Sequence, residues 1–446
     1  MRRGAELPTK AALTALAWRL LYSFTWWLVL PLVLARLWWR GRREPGYRRQ
    51  VGERLGCYAA ARRPADRLTF WVHAVSVGET QAAAPLIDAL LAGWPKHRIV
   101  LTHMTPTGRA TGAALFGRHG ARVVQCYLPY DTGSMMGNFL RFYRPQACLL
   151  IETEVWPNLV AQCRRRAIPV ALVNARLSAR SLARGMKLRS LLGAAAHGLS
   201  CAGAQTLGDA ARLRAFGVPS VVVTGSMKFD VLPPTAQLAL GSSWRGRFGS
   251  RKVLLCASTR EGEEAAILAA LLAISLEDAL LIIVPRHPQR FDAVAELVAA
   301  QGKNLLRRSA MREDAVPAAV QVLLGDSMGE MFAYFAAADV AFIGGSLLPL
   351  GGQNLIEACA VGTPVLIGPH TFNFSTVTED AIAAGAALRV DDAPAMLASA
   401  LALLRDEAVR GTMARAARAY ALQHRGATVR TVDMLTALLP AQTDTQ

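Results

Sequence analysis

Two parallel-sheet α/β halves behind an apolar N-terminal helix are predicted by three features of this 446-residue chain. From about residue 68, short apolar runs alternate with stretches of helical periodicity. The alternation breaks at a polar, Pro/Gly-rich stretch and then restarts. Ahead of it stands one uncharged apolar block bracketed by arginines. With 52% hydrophobic and 18% charged residues, the chain has material for large cores and is not a disordered one.

The apolar block runs from Leu20 to Ala35, between Arg19 and Arg36. It falls short of the ~20 residues a spanning helix needs, unless it extends toward Ala11 with Arg19 snorkelling. Trp18, Trp26, Trp27, Trp38 and Trp39 favour a bilayer interface. No small-residue cleavage site comes after the block, which argues against a removed signal peptide. A buried core helix is the alternative, but a chain end rich in Trp and Arg is a poor core. The first 60 residues carry 11 Lys/Arg against three Glu, a net +8 out of +18 for the chain. Such a balance implies an anionic partner, nucleic acid or a membrane surface, and the apolar neighbour favours the membrane. Arginines from Arg36 to Arg49 would hold the polypeptide after them on the cytoplasmic side by the positive-inside rule. Residues 1–50 are therefore expected to be a membrane anchor with a basic flank. Seven cysteines without a CxxC pair read as reduced, buried thiols and not as disulfides or a zinc site.

Strands are expected at 68–74, 98–104, 122–128, 147–152, 169–175 and 220–225, each followed by a helical segment or a turn. Continuous apolar strands separated by helices indicate a parallel sheet covered on both faces. Residues 229–250 are polar and Pro/Gly-rich, a linker signal. Strands resume at 252–258, 279–285, 320–325, 339–345, 363–368 and 386–390, and helices close the chain from Pro394 to about Leu439. The expected domains are residues 51–230 and 231–446, both Rossmann-like. Ligands of such sheets bind at the carboxyl ends of the strands, so the chemistry is expected between two facing sheets.

Several constellations stand at those ends. After the first strand comes the run from His73 to Thr80, in which Gly78 permits a tight turn and Glu79 opens the next helix. A carboxylate there can take a proton from an attacking hydroxyl, or can serve only the helix N-terminus. Glu152 and Glu154 come after the fourth strand, where acids are costly to bury without partners; a solvated loop is the alternative. Arg176, Arg180 and Arg184 recur every four residues, with Lys187 and Arg189 beyond. In a helix they form a basic stripe suited to an anionic acceptor, or a merely solvated face. Lys228 stands where the first sheet closes. In the second half, Pro285 and Arg286 end an apolar strand, and Gly329, Glu330 and Met331 mark another strand-to-helix passage. A glycine-rich turn, Gly344 to Ser346 and Gly351 to Gln353, leads into Asn354, Leu355, Ile356 and Glu357. Backbone N–H groups of such a turn can approach a phosphate, and a Glu one turn onward can accept ribose hydroxyls; packing alone also uses such glycines. No Walker lysine, HExxH, serine-hydrolase elbow or DxD-type acidic pair is present. Without that acidic pair, a leaving group would be carried by cationic side chains and backbone amides.

Taken in order, SVGET, TPTG, LPYD, ETEVWPN, NARLSARS, TGSMKFD, PRHPQRF and GGQNLIEACAVGTPVLIGPHTFNF closely resemble the 3-deoxy-D-manno-octulosonic acid (Kdo) transferases of lipopolysaccharide biosynthesis. The resemblance covers nearly the whole chain, including its apolar start. It implies a GT-B fold, CMP-Kdo as donor, no metal, and the acylated, phosphorylated lipid A precursor (lipid IVA) as acceptor at the cytoplasmic face of the inner membrane. It also implies inverting transfer with Glu79 as general base and Glu152 and Lys228 as transition-state stabilisers. The CMP site would fall on Pro285, Arg286, Gly329, Glu330, Met331 and the run from Asn354 to Glu357. Gln353 stands where the family often has His, and Ala358 where it often has Pro. Another GT-B enzyme using a UDP-sugar and a lipid acceptor is the nearest rival. A tethered nucleic-acid-binding protein would interleave aromatics with Lys/Arg, whereas here the aromatics cluster in the anchor, so no nucleic-acid partner is expected.

Overall fold

The computed structural model describes residues 10–58, 68–274, 276 and 279–439. Arg2, Arg3 and Glu6 of the basic segment lie outside them. The chain divides into two units, Met1–Val231 with Arg425–Gln446, and Leu232–His424.

In the first unit seven parallel strands take the order β3-β2-β1-β4-β5-β6-β7. They are β1 (Thr69–His73), β2 (Arg98–His103), β3 (Val123–Tyr127), β4 (Ala147–Ile151), β5 (Val170–Ala175), β6 (Cys201–Ala204) and β7 (Val221–Val223). Alternation along β1 sends Phe70 and Val72 into one apolar cluster with Leu86 and Leu101, and Trp71 into the other with Leu150 and Phe139. Both faces are covered, which is why these strands read as unbroken apolar runs. Strand β6 is absent from the strands expected of the sequence. Its Cys-Ala-Gly-Ala run lacks β-branched residues, yet the pleat buries all four because small side chains fit where neighbouring elements approach closely.

One expectation about the chain's ends is corrected, and one alternative left open by the sequence is resolved. The described residues 425–439 belong to the first unit, not with 232–424. The helix Ala427–Thr436 buries Ala427 and Leu435 in the Phe70 cluster, and Asp230 accepts hydrogen bonds from the N–H groups of Gly426 (2.7 Å) and Thr428 (2.5 Å) at its start. At the other end, Lys10–Arg40 is one helix that runs through Arg19 and Pro31. By length and composition Leu13–Arg40 can cross a membrane; only 6% of its apolar window is buried, so it is no core helix.

The second unit has β8 (Val253–Thr259), β9 (Leu280–Pro285), β10 (Leu305–Arg307), β11 (Val322–Leu324), β12 (Val340–Ile343), β13 (Val365–Ile367) and β14 (Ala387–Arg389). Their order is β10-β11-β9-β8-β12-β13-β14, again all parallel. The three-residue edge strand β10 is too short to register as an apolar run. The expected linker is also corrected, because Thr235–Arg247 is a helix. A buried stripe holds it: Trp244 packs on Tyr334 at 5.0 Å, and a Cβ on Gly241 would collide with the Ala333 backbone.

Candidate active site

In the first unit Glu79 is the third residue of the helix Val77–Ala82, immediately beyond β1. Its Oε2 accepts from the Val75 N–H at 2.7 Å and its Oε1 from the Ser76 hydroxyl at 3.2 Å. The carboxylate thus curls back over the helix start, as the electrostatic reading of that position requires. Burial nevertheless dominates and lifts its pKa from 4.5 to about 7, with the charges of Glu152 and Glu154 adding to the rise. The Val75 and Ser76 hydrogen bonds pull the other way and lose. The expected tight turn at Gly78 is corrected: the residue sits inside the helix, and apart from its chain neighbours and its own helix backbone no atom lies within 4 Å of the Cβ it lacks. Its contribution is open space beside Glu79.

Glu152 caps β4 with a left-handed backbone, φ +64°, a conformation costly for a residue with a Cβ. It is held there by its N–H bond to the Val173 carbonyl (2.9 Å) and by an ion pair from Lys228 Nζ to Oε1 (2.8 Å). Glu154 stands close by, its pKa raised by burial, lowered in part by a Trp156 hydrogen bond, and raised again by the Glu152 charge. Lys228 lies in the turn Met227–Asp230 after β7. That turn is pinned by Asn174 of β5, itself at φ +53°, whose Oδ1 accepts from the Met227 N–H at 3.1 Å. Asn174 is fully buried, and its Nδ2 has no protein partner. The structure therefore brings Glu79, Glu152 and Lys228 together, with Glu154, the second acid after the fourth strand, and Asn174 beside them.

The basic stripe is partly as expected. Ser178 caps the helix Ala179–Lys187, and Arg180, Arg184 and Lys187 are exposed on it; Arg176 precedes the cap and is not part of the helix. Asp131 of LPYD serves ETEVWPN structurally, accepting from the N–H groups of Asn158 (2.9 Å) and Leu159 (2.8 Å) at the start of the helix Pro157–Arg164.

In the second unit the carboxyl ends of β8 and β9 gather cations. Arg286 comes after Pro285, the last residue of β9, and its N–H bonds the Thr259 carbonyl at 2.9 Å. Burial lowers the Arg286 pKa, the nearby Arg260 charge lowers it further, and Glu357 opposes both. His287 is likewise lowered by burial and then by Arg286, Arg260 and Arg290. Arg286 Nε donates to Gln353 Oε1 at 3.3 Å, and Asn354 Nδ2 to Glu357 Oε1 at 3.1 Å. Asn354 Oδ1 accepts the Ile356 N–H at 3.1 Å, at the start of the helix Ile356–Val361, just after Leu355. Arg286, Asn354 and Glu357 thus form one neighbourhood, joined by Arg260, whose signal was its place directly after a strand. Gly329 (φ +79°), Glu330 and Met331 stand at the passage from β11 to the helix Met331–Ala337, where Arg308 binds Glu330 at 3.0 Å.

The phosphate-cradle reading is corrected for the first half of the glycine turn. The N–H groups of Gly345, Ser346 and Leu347 all point at the buried carboxylate of Glu263, at 2.6, 2.9 and 3.0 Å. Glu263 also takes the Arg260 N–H at 2.8 Å. That half of the turn is shaped by an internal anion, so its three N–H groups are taken.

Two Rossmann-type units carrying their polar residues at strand carboxyl ends make this a GT-B protein. UDP-GlcNAc 2-epimerase from Neisseria meningitidis bound to UDP-GlcNAc shares that fold with a TM-score of 0.57, at 17% identity over 83% of this chain and all of that one. A family model described as 3-Deoxy-D-manno-octulosonic-acid transferase (kdotransferase) matches residues 49–231. The chain is 49% identical to the 3-deoxy-D-manno-octulosonic acid transferase of Bordetella pertussis, over 91% of this chain and 96% of that protein. It is 36% identical to the enzyme of the same name from Haemophilus influenzae, over 94% and 98%. The chain belongs to the 3-deoxy-D-manno-octulosonic acid transferase family of glycosyltransferases.

Proposed function

We infer that the protein transfers Kdo from CMP-Kdo to the lipid A precursor with inversion, on the cytoplasmic face of the inner membrane. The observation that carries this reading is Glu79, a carboxylate with a pKa near 7 beside open space and next to the Glu152–Lys228 pair. Ionised, it accepts the proton of an acceptor hydroxyl as that oxygen bonds to the anomeric carbon of Kdo. The bond from that carbon to the CMP phosphate breaks, and CMP leaves with the electron pair. Glu152 favours the positive charge developing on the sugar ring, and Lys228 the departing phosphate. Arg286, with Arg260 beside it, suits the nucleotide's anionic group, while Asn354 and Glu357 offer hydrogen-bonding groups for the ribose. Pro285, Gly329, Glu330 and Met331 complete the proposed nucleotide site. The exposed Arg180, Arg184 and Lys187 suit the acceptor's phosphates. The apolar Lys10–Arg40 helix supports membrane association with such a lipid.

The test is mass spectrometry of a defined acylated, phosphorylated disaccharide incubated with the full chain and CMP-Kdo, and then NMR of the new linkage. Addition of Kdo with inverted configuration is expected. Transfer from UDP-sugars but not from CMP-Kdo would overturn the donor assignment.

A further inference from the structure

The N-terminal helix is docked lengthwise on the first unit. Its shielded positions include Ala15, Arg19, Trp26, Leu30, Val33 and Leu37, spaced in multiples of a helical turn. From Ala15 to Leu37 this stripe is roughly 33 Å long, as long as the ~30 Å hydrocarbon core of a bilayer. The contacts are specific. Asn158 Nδ2 donates to Ser23 Oγ at 3.0 Å and to the Asp131 carbonyl at 2.7 Å. Trp26 lies against Tyr130 at 5.5 Å, and Leu30 is buried with Tyr130 and Met135. On the opposite face Leu20, Phe24, Trp27, Leu28 and Leu32 are 51–70% exposed.

A spanning helix is ringed by lipid at mid-depth. This one has the polar helix Pro157–Arg164 and the Asp131–Asn158 network beside its middle. A spanning pose with this docking intact would drag Arg164 and Arg165 into hydrocarbon. Between the two helices opens a cavity of about 470 Å³ with a partly apolar wall, Leu16, Val160 and Leu191, and a rim of Arg19, Arg164 and Arg165. Among the described residues no carboxylate pairs with any of these three arginines.

We propose that the helix lies in the plane of one leaflet as a wall of the first unit, its free face among the acyl chains and its arginine rim seating the phosphates of anionic phospholipid. The proposal rests on the membrane association inferred above and adds its geometry and the chemistry of its lipid. The rim is not the reacting site. Arg164 ends the helix Pro157–Arg164 and Arg165 follows it, roughly 12 Å at 1.5 Å per residue from the helix start that Asp131 holds.

The test uses the full chain with Cys57→Ser, since the other six cysteines are buried. Single cysteines at 20, 24, 28, 32, 26 and 33 are spin-labelled in phosphatidylcholine vesicles with and without phosphatidylglycerol, and their depth is read by electron paramagnetic resonance. Shallow insertion of about 5–10 Å at 20, 24, 28 and 32 is expected, with 26 and 33 shielded from lipid. A depth that passes steadily through the bilayer centre from 20 to 32, with 26 and 33 open to lipid, would overturn the in-plane pose while leaving membrane association standing. Absence of lipid contact at every position would overturn both. Arg164→Glu and Arg165→Glu should each weaken binding to the phosphatidylglycerol vesicles by about fivefold and leave phosphatidylcholine binding unchanged. Undiminished binding to the anionic vesicles would overturn the phosphate seat.

Discussion

The two units use one scaffold with opposite electrostatics. At the carboxyl end of the first sheet, Glu79, Glu152 and Glu154 crowd into a part-buried neighbourhood that contains the Lys228 cation. At the carboxyl end of the second, Arg260, Arg286, His287 and Arg290 crowd instead, and burial with like-charge repulsion pushes the Arg286 and His287 pKa values down. Parallel sheets place loops at the same edge whatever those loops carry. The difference therefore lies in a few residues after each strand, not in topology. Burial first, and the neighbouring carboxylate charges after it, raise the Glu79 pKa and make a base that works near neutrality. Crowded guanidinium groups make a site that is relieved when an anion enters.

The largest expected effect is on the carboxylate side. Glu79→Gln removes the proton acceptor while keeping its size, and should lower kcat by about 10³-fold with the CMP dissociation constant, measured calorimetrically, nearly unchanged. Loss of CMP binding as well would make Glu79 structural. On the opposite unit, Glu263→Ala strands four N–H groups that now share one buried carboxylate. That costs on the order of 3 kcal/mol, read as a fall of roughly 10 °C in apparent Tm. Lys228→Ala leaves Glu152 without its 2.8 Å partner. It should cost about 10²-fold in kcat with little change in KM for the donor. The smallest effect sharpens the contrast: Arg286→Ala should raise the donor KM by about tenfold and leave the pH dependence that Glu79 sets where it is. A shifted pH profile in that variant would mean that the two clusters are not independent.

Most of the fold was legible because buried parallel strands are unbroken apolar runs, as in β1, β4, β8 and β9. The features that escaped depend on partners distant in sequence. The Cys-Ala-Gly-Ala strand β6 carries no β-branched signal of its own, and the Thr235–Arg247 helix hides in a polar, glycine-containing stretch because its core contact is Trp244. The return of Ala427–Thr436 to the first unit is set by a carboxylate at Asp230, almost two hundred residues earlier. In the site, Glu79, Glu152 and Lys228 were readable from motif and position, and the structure joins them. Glu263 was not, because only the folded chain shows that its carboxylate occupies the amides of the glycine turn. The roles of Gly78 and Arg176 were hidden for a similar reason, since spacing says nothing of the open volume around a Cβ or of where Ser178 starts a helix.

The proposed mechanism turns on Glu79 as the base, held near neutrality by burial and by its acidic neighbours. Its folded pKa of about 7 exceeds the ordinary 4.5, so it is protonated over a window in which a free glutamate is ionised. Transfer needs the ionised form, so activity is lost as pH falls through about 7. Measurement of kcat/KM across the neutral range for the wild type and for Glu79→Gln tests this directly. The wild type is expected to show an acid limb with an apparent pKa near 7, falling about tenfold per pH unit below it, and the variant to be slow and to lack the limb. A variant that keeps both the wild-type rate and its acid limb would contradict the assignment.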